Sequence, residues 1–234
     1  HIVCEKPLAI TTAECDRMIR AAEKNEVMLS TFHNRHWDGC ILQAVKMIKK
    51  KKSIGDVVRI EAHMGGWRVP GDWWRSSKSI SGGILYDWGV HLLEYSLQLL
   101  DANIVEVSGF SKTGYWAPKT AWKKDTNEDE AFVVTRFDNG SWLTLLMSSI
   151  DSKPKEGVLE ITGTEGTYVF DHGTWTLITH EGDQVVRRHG PNPPGEQDKY
   201  YKNVADHLVK DKDLVITAEW ARRPIHIIDL GCKS

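Results

Sequence analysis

The period of apolar and polar positions changes several times along the 234-residue chain, and each change predicts an element. Ile2-Val3-Cys4 is a short apolar run. Thr11 and Glu14 have capping-box spacing and open a helix over "TTAECDRMIRAAEKNEV". "VMLSTF", residues 27–32, is apolar again. Strand, helix and strand over the first 32 residues predict one βαβ unit with parallel pairing and a right-handed crossover, the tail of a doubly wound sheet. "DGCILQAVKMIKKKK" is a second helix, with Ile41, Leu42, Val45 and Ile48 on one side. Its closing lysines, 49–52, complement the helix dipole and need no ligand. "VVRIEAHM" then alternates with a period of two. "GGILYDWGVHLLEY", residues 82–95, returns to the helical period behind two glycines.

From Asn103 onward strands dominate. "EAFVVTRF" and "SWLTLLMSS" flank Asp138-Asn139-Gly140, a hairpin signal. Asn139-Gly140-Ser141 also matches a glycosylation sequon, which is idle in a cytoplasmic hairpin. Four more short strands follow as a meander, and two helices close the chain. The fold class expected is α+β: an open, largely antiparallel sheet covered by helices, preceded by the last βαβ unit of a dinucleotide-binding domain.

Composition narrows the function. Net charge is −2, which calls for no nucleic-acid partner or anionic membrane. No apolar run has the length of a membrane span. Cys4, Cys15, Cys40 and Cys232 are scattered without C-x-x-C spacing, which fits reduced thiols in a cytoplasm. Ten tryptophans are many, and Trp67, Trp73, Trp74 and Trp88 crowd around the glycine-led helix. Their flat faces suit sugar rings, or equally a core beneath the sheet.

Asp87 and His91 are four residues apart, which on a helix places them on one face, with Tyr95 continuing the line. A neutral imidazole is a general base near pH 7, and a carboxylate beside it orients it or holds a hydroxyl. Gly82 and Gly83 at the helix start are expected to leave N–H groups free for an anion or hydroxyl. Glu5, Lys6 and Pro7 directly follow the first strand, and in open α/β sheets ligands bind beyond such carboxyl ends.

"EKPLA", Trp74-Arg75 and "GGILYDWGVHLLEY", in that order, resemble the glucose–fructose oxidoreductase/inositol dehydrogenase/rhizopine catabolism family, and the likeness covers essentially the whole chain. The resemblance implies an NAD- or NADP-binding Rossmann domain followed by a substrate-binding and oligomerisation domain. It implies cofactor contacts from Glu5, Lys6, Pro7 and Arg35. Catalysis would fall to Lys6, Asp87 and His91, and substrate binding to Trp74, Arg75, Asp87, His91 and Tyr95, with no metal. Two positions depart from the family pattern: Ser81 stands where a third glycine is common, and Glu94 where Asp is common. The division expected is residues 1–34 as Rossmann remnant and 35–234 as the second domain. The chain opens within a strand and shows no G-x-G-x-x-G near it, so it is expected to be the C-terminal part of such an enzyme and inactive alone.

The reaction expected of the intact protein is oxidation of a secondary hydroxyl of a small sugar, polyol or cyclitol, or its reversal. The partners expected are that substrate and further copies, a homodimer or homotetramer through the open sheet. An NAD-dependent glycosidase or a non-enzymatic sugar or nucleotide sensor on the same fold are the alternatives. A metal bound by His33 and His36, or by Asp87, His91 and Glu94, is a weaker one, since such spacings are common by chance.

Overall fold

The computed structural model describes residues 1–234. β1 (Ile2–Cys4) and β2 (Leu29–Thr31) pair in parallel, joined by α1 (Thr12–Lys24). Thr11 caps α1: its hydroxyl accepts from the Glu14 N–H, and the Glu14 carboxylate accepts from the Thr11 N–H. After β2 a 3-10 turn, Asn34–Trp37, leads into α2 (Gly39–Val45), which widens into a π turn over Lys46–Lys50.

The remaining strands are β3 (Val57–Gly65), β4 (Ile104–Lys112), β5 (Glu130–Phe137), β6 (Trp142–Ser148), β7 (Leu159–Gly163), β8 (Gly166–Phe170), β9 (Thr174–Glu181) and β10 (Gln184–Pro191). They form one sheet in the order β10-β9-β8-β7-β3-β6-β5-β4. Every pairing is antiparallel except β3–β6. The meander is therefore interrupted, because β3 enters between β6 and β7. Its inward residues explain the placement: Ile60 and Ala62 are fully buried, which only a central position provides.

α4 (Gly89–Leu99) and α6 (Ala218–Lys233) lie on one face of this sheet. Val90, Leu92, Leu93 and Tyr95 of α4 are all inaccessible, the mark of a helix buried on every side. Gly89 lets it approach β6, since a Cβ there would stand 3.1 Å from Leu145 Cδ2. The other face carries Phe132, Val134, Leu146, Val169 and Ile178, all half-exposed. The tryptophans divide: Trp37 and Trp116 are buried, whereas Trp67, Trp73 and Trp74 are about half exposed.

The helix expected to run from Gly82 is broken. α3 (Lys78–Ser81) ends at Gly82, where φ is +89°, and Gly83 follows at +129°. Neither angle continues a helix. A 3-10 turn over Ile84–Tyr86 comes next, and α4 starts only at Gly89 with Trp88 as its cap. The N–H groups here are not free either: that of Gly83 donates to Ser81 Oγ and that of Ile84 to the Glu128 carboxylate at 2.9 Å.

α5 (Lys199–Lys210) and α6 tie the first strands to the rest. Ser30 Oγ bonds Tyr200 Oη and the Ile216 carbonyl, at 2.9 and 2.8 Å. Arg222 of α6 pairs with Asp16 of α1 at 2.5 Å, and the Thr12 N–H donates to Asp229. No helix is long and apolar enough to cross a membrane.

Candidate active site

The carboxyl ends of β1 and β2 open into a cleft of about 320 Å³, lined also by Asp87, Trp88 and His91 at the start of α4. Lys6 enters it from the loop after β1, where the Lys6–Pro7 peptide is cis. The Lys6 ammonium donates to Asp87 Oδ1 at 2.7 Å and to the Asp87 carbonyl at 2.9 Å. Arg75 approaches the same carboxylate, with Nε 3.4 Å from Oδ1. Asp87 is thus paired with two cations. It also lies outside α4, so it meets His91 through the turn before the helix and not through a shared helical face.

His91 sits on the first turn of α4 and reaches the cleft, although only 5% of it is exposed. Its Nδ1 is sealed inside without a protein partner. Burial above all, then the positive charge of Lys6, holds its pKa well below the ordinary histidine value. The imidazole is therefore neutral across the physiological range, as a general base must be. Arg35 lies over the Trp88 ring at 4.5 Å and pairs with Asp38 at 2.9 Å. Arg75 is sandwiched by tryptophans, with its guanidinium 4.8 Å from the Trp73 ring and 4.4 Å from that of Trp74.

Of the residues expected in the site, Glu5, Lys6, Arg35, Arg75, Asp87 and His91 line this one cleft. Trp74 does not; it backs Arg75 from outside, and Trp73 takes the wall. Tyr95 is also elsewhere. It is fully buried, and its hydroxyl donates to Asp38 Oδ2 at 2.6 Å, because a residue one turn further along α4 faces the core. Pro7 shapes the turn without lining the cleft. Trp88, one of the tryptophans offered as flat faces, also lines the cleft, whereas sequence reasoning missed Phe32 and Asn34. The signal for the last two was available, since they follow the carboxyl end of β2.

Several of the candidate metal ligands are engaged by other groups, although His33 and the Nδ1 of His91 are not. His36 Nδ1 bonds Glu94 at 2.6 Å. Asp38, Cys40 and His172 converge, but the Asp38 carboxylate already accepts from Arg35, Tyr95 and Gln197.

A lysine at the end of a parallel strand and a buried imidazole thus line one cleft, at the position where open α/β sheets bind ligands. Comparison with known proteins agrees. Residues 1–33 match the model of an oxidoreductase family with an NAD-binding Rossmann fold, and residues 42–169 match the GFO/IDH/MocA C-terminal domain. A scyllo-inositol 2-dehydrogenase (NADP(+)) from Bacillus subtilis is 34% identical over 260 residues, spanning 100% of this chain and 70% of that protein. A myo-inositol 2-dehydrogenase from Thermotoga maritima is 26% identical over 190 residues, 80% of this chain and 55% of that protein. The solved structure of a putative oxidoreductase from Bacillus subtilis superposes with a TM-score of 0.84 at 22% identity, over 100% of this chain and 71% of that one. The chain belongs to the Gfo/Idh/MocA family of NAD(P)-dependent oxidoreductases.

The residues present fit the nicotinamide end of such a cofactor. Lys6 supplies a cation at the carboxyl end of β1, and Glu5 and Arg35 flank the same opening.

Proposed function

We propose that the protein oxidises a secondary hydroxyl of a small sugar, polyol or cyclitol, or runs the reverse reduction, with Lys6, Asp87 and His91 as its working residues. The observation that carries this reading is the convergence of the Lys6–Asp87 pair, at 2.7 Å, with the neutral His91 on one small cleft. His91 takes the hydroxyl proton. Lys6 faces the oxygen as negative charge develops on it. Asp87 holds Lys6 and offers its remaining acceptor capacity to a neighbouring hydroxyl. Glu5, Lys6 and Arg35 hold the nicotinamide end of the dinucleotide, which when bound supplies the hydride acceptor or donor. Residues 1–34, with Arg35 directly after them, thus serve chiefly the cofactor, and the rest of 35–234 the substrate. Trp73 and the stacked Arg75 give a flat, hydrogen-bonding wall suited to a polyol ring. The inositol specificities named for two relatives support a cyclitol as the first substrate to try.

The half-exposed apolar row on the uncovered sheet face serves as the contact between copies. Four unpaired cysteines suit a reducing cytoplasm.

The test is a titration of the full gene product with NADH and NADPH, read by energy transfer from its tryptophans, followed by a screen of inositols. Saturable binding of one dinucleotide is expected. His91→Asn should then lower kcat by about 10²–10⁴ with KM little changed. Absence of binding by either dinucleotide, or an unchanged kcat in the variant, overturns the reading.

A further inference from the structure

One buried group beside the site has no part in the chemistry above. His33 follows β2, is 1% exposed, and has no protein partner at either ring nitrogen. Leaving a buried donor or acceptor unmet is costly, because its hydration is lost and nothing replaces it. A methionine or leucine would fill the same space without that cost. His33 stands edge-on to His91, with ring centroids 6.0 Å apart and planes at 87°. His91 Nδ1 is buried and unpartnered as well. Two adjacent imidazoles therefore each lack what the other can give. An N–H···N bond of about 3 Å would bring the centroids somewhat closer, so a small ring rotation or one intervening water completes the pair.

We propose that His33 is a positioning residue for His91: a hydrogen bond between them, direct or across one water, keeps the proton of neutral His91 on Nδ1 and leaves the Nε2 lone pair facing the cleft. A neutral imidazole has two tautomers, and only one of them can accept a proton from a hydroxyl in the cleft. No other group fixes the choice. The Asp87 carboxylate is held by Lys6 and Arg75, and His36 Nδ1 is held by Glu94. The charged and titratable groups around His33 are Glu94, His36 and Lys6, and those around His91 are Lys6, Arg35, His33 and His172. Burial brings the His33 pKa down to about 4, so at pH 7 it is neutral and free to accept from Nδ1–H. The catalytic consequence rests on the dehydrogenase reading; the tautomer itself does not.

The experiment is NMR of this 234-residue chain labelled with ¹⁵N in its histidine rings, at pH 7.5 and without substrate. The His91 signals are assigned by their loss in His91→Asn. The expected result is a single Nδ1–H tautomer of His91 in the native protein. His33→Gln should retain it, because an amide still accepts and donates. His33→Leu should give a mixture or the opposite tautomer; His33→Met serves instead if leucine loosens the fold in a thermal melt. Identical His91 spectra in the native chain and the apolar variant overturn the proposal, as does an Nε2–H tautomer in the native chain. In the full gene product, His33→Leu should lower kcat at least tenfold with KM unchanged. Should His91→Asn leave turnover untouched, the dehydrogenase reading fails while the tautomer measurement stands or falls alone.

Discussion

Replacing Glu94 by Gln removes one charge from the interior with almost no change of shape. Glu94 lies on α4, one turn beyond His91, and is 1% exposed. Its Oε1 accepts from His36 Nδ1 at 2.6 Å and from Trp220 Nε1 at 3.0 Å, while Oε2 accepts from Gln98 at 3.1 Å. One carboxylate thus ties the turn after β2 to α4 and α6. A hydrogen bond to an ionised acceptor contributes about 1.5–3 kcal/mol and a neutral one about 1. Glutamine keeps both Oε1 bonds but makes them neutral, so about 2 kcal/mol is lost, and Gln98 must turn its amide over to follow. For a chain of this length that corresponds to a fall in Tm of about 4–8 °C at pH 7. The sign with pH follows from the carboxyl itself. Burial alone would raise its pKa, but the hydrogen bond and charge of His36 outweigh burial and leave it lowered. A carboxyl lowered in the folded state stabilises fully above its unfolded value of about 4.3 and loses that contribution as pH falls through the folded value. The gap between native and variant should be open at pH 7 and pH 5 and should narrow at pH 3.5. Scanning calorimetry at those three pH values decides it. An unchanged Tm at pH 7, or an equal deficit at all three, refutes the reasoning.

Two further outcomes are expected. Gly109→Ala places a Cβ 2.2 Å from the Gly231 carbonyl oxygen, where β4 meets α6, and backbone there cannot yield cheaply. The cost is about 1–3 kcal/mol, visible as a urea midpoint that falls while the slope is kept; an unchanged midpoint would show that the two elements part easily. Because burial and the Lys6 charge hold the His91 pKa well below its ordinary value, kcat/KM of the full gene product should stay level as pH falls from 8 through 6.5. An inflection at 6.5 would mean that the base is solvated or is not His91.

The legible part of the molecule was the part set by local pattern. The Thr11–Glu14 capping box and the Asp138-Asn139-Gly140 hairpin lie where their spacing put them, because each is satisfied within a few residues. The position of β3 was not legible. Its alternation told of a strand with one buried face, but its insertion between β6 and β7 is decided by partners more than 80 residues away. Tyr95 was misplaced for a related reason. Helical spacing fixes which residues share a stripe, but not whether that stripe continues into a cleft or into the core. Trp73 and Trp74 show the same limit at closer range: adjacent residues flank one guanidinium, and only one of them meets the opening.

Asp87 and His91 do converge, yet the spacing that suggested it is not what holds them. The two positive φ angles at Gly82 and Gly83 break the helix before Asp87. Its carboxylate and its own carbonyl are then gripped by a single ammonium 81 residues earlier in the chain. The carboxylate carries two cations, whereas burial holds the imidazole pKa well below its ordinary value and its Nδ1 has no protein partner. On the reading proposed above, His91 is the residue of the two that acts as the base, and the second imidazole behind it is the group proposed to set which nitrogen does so.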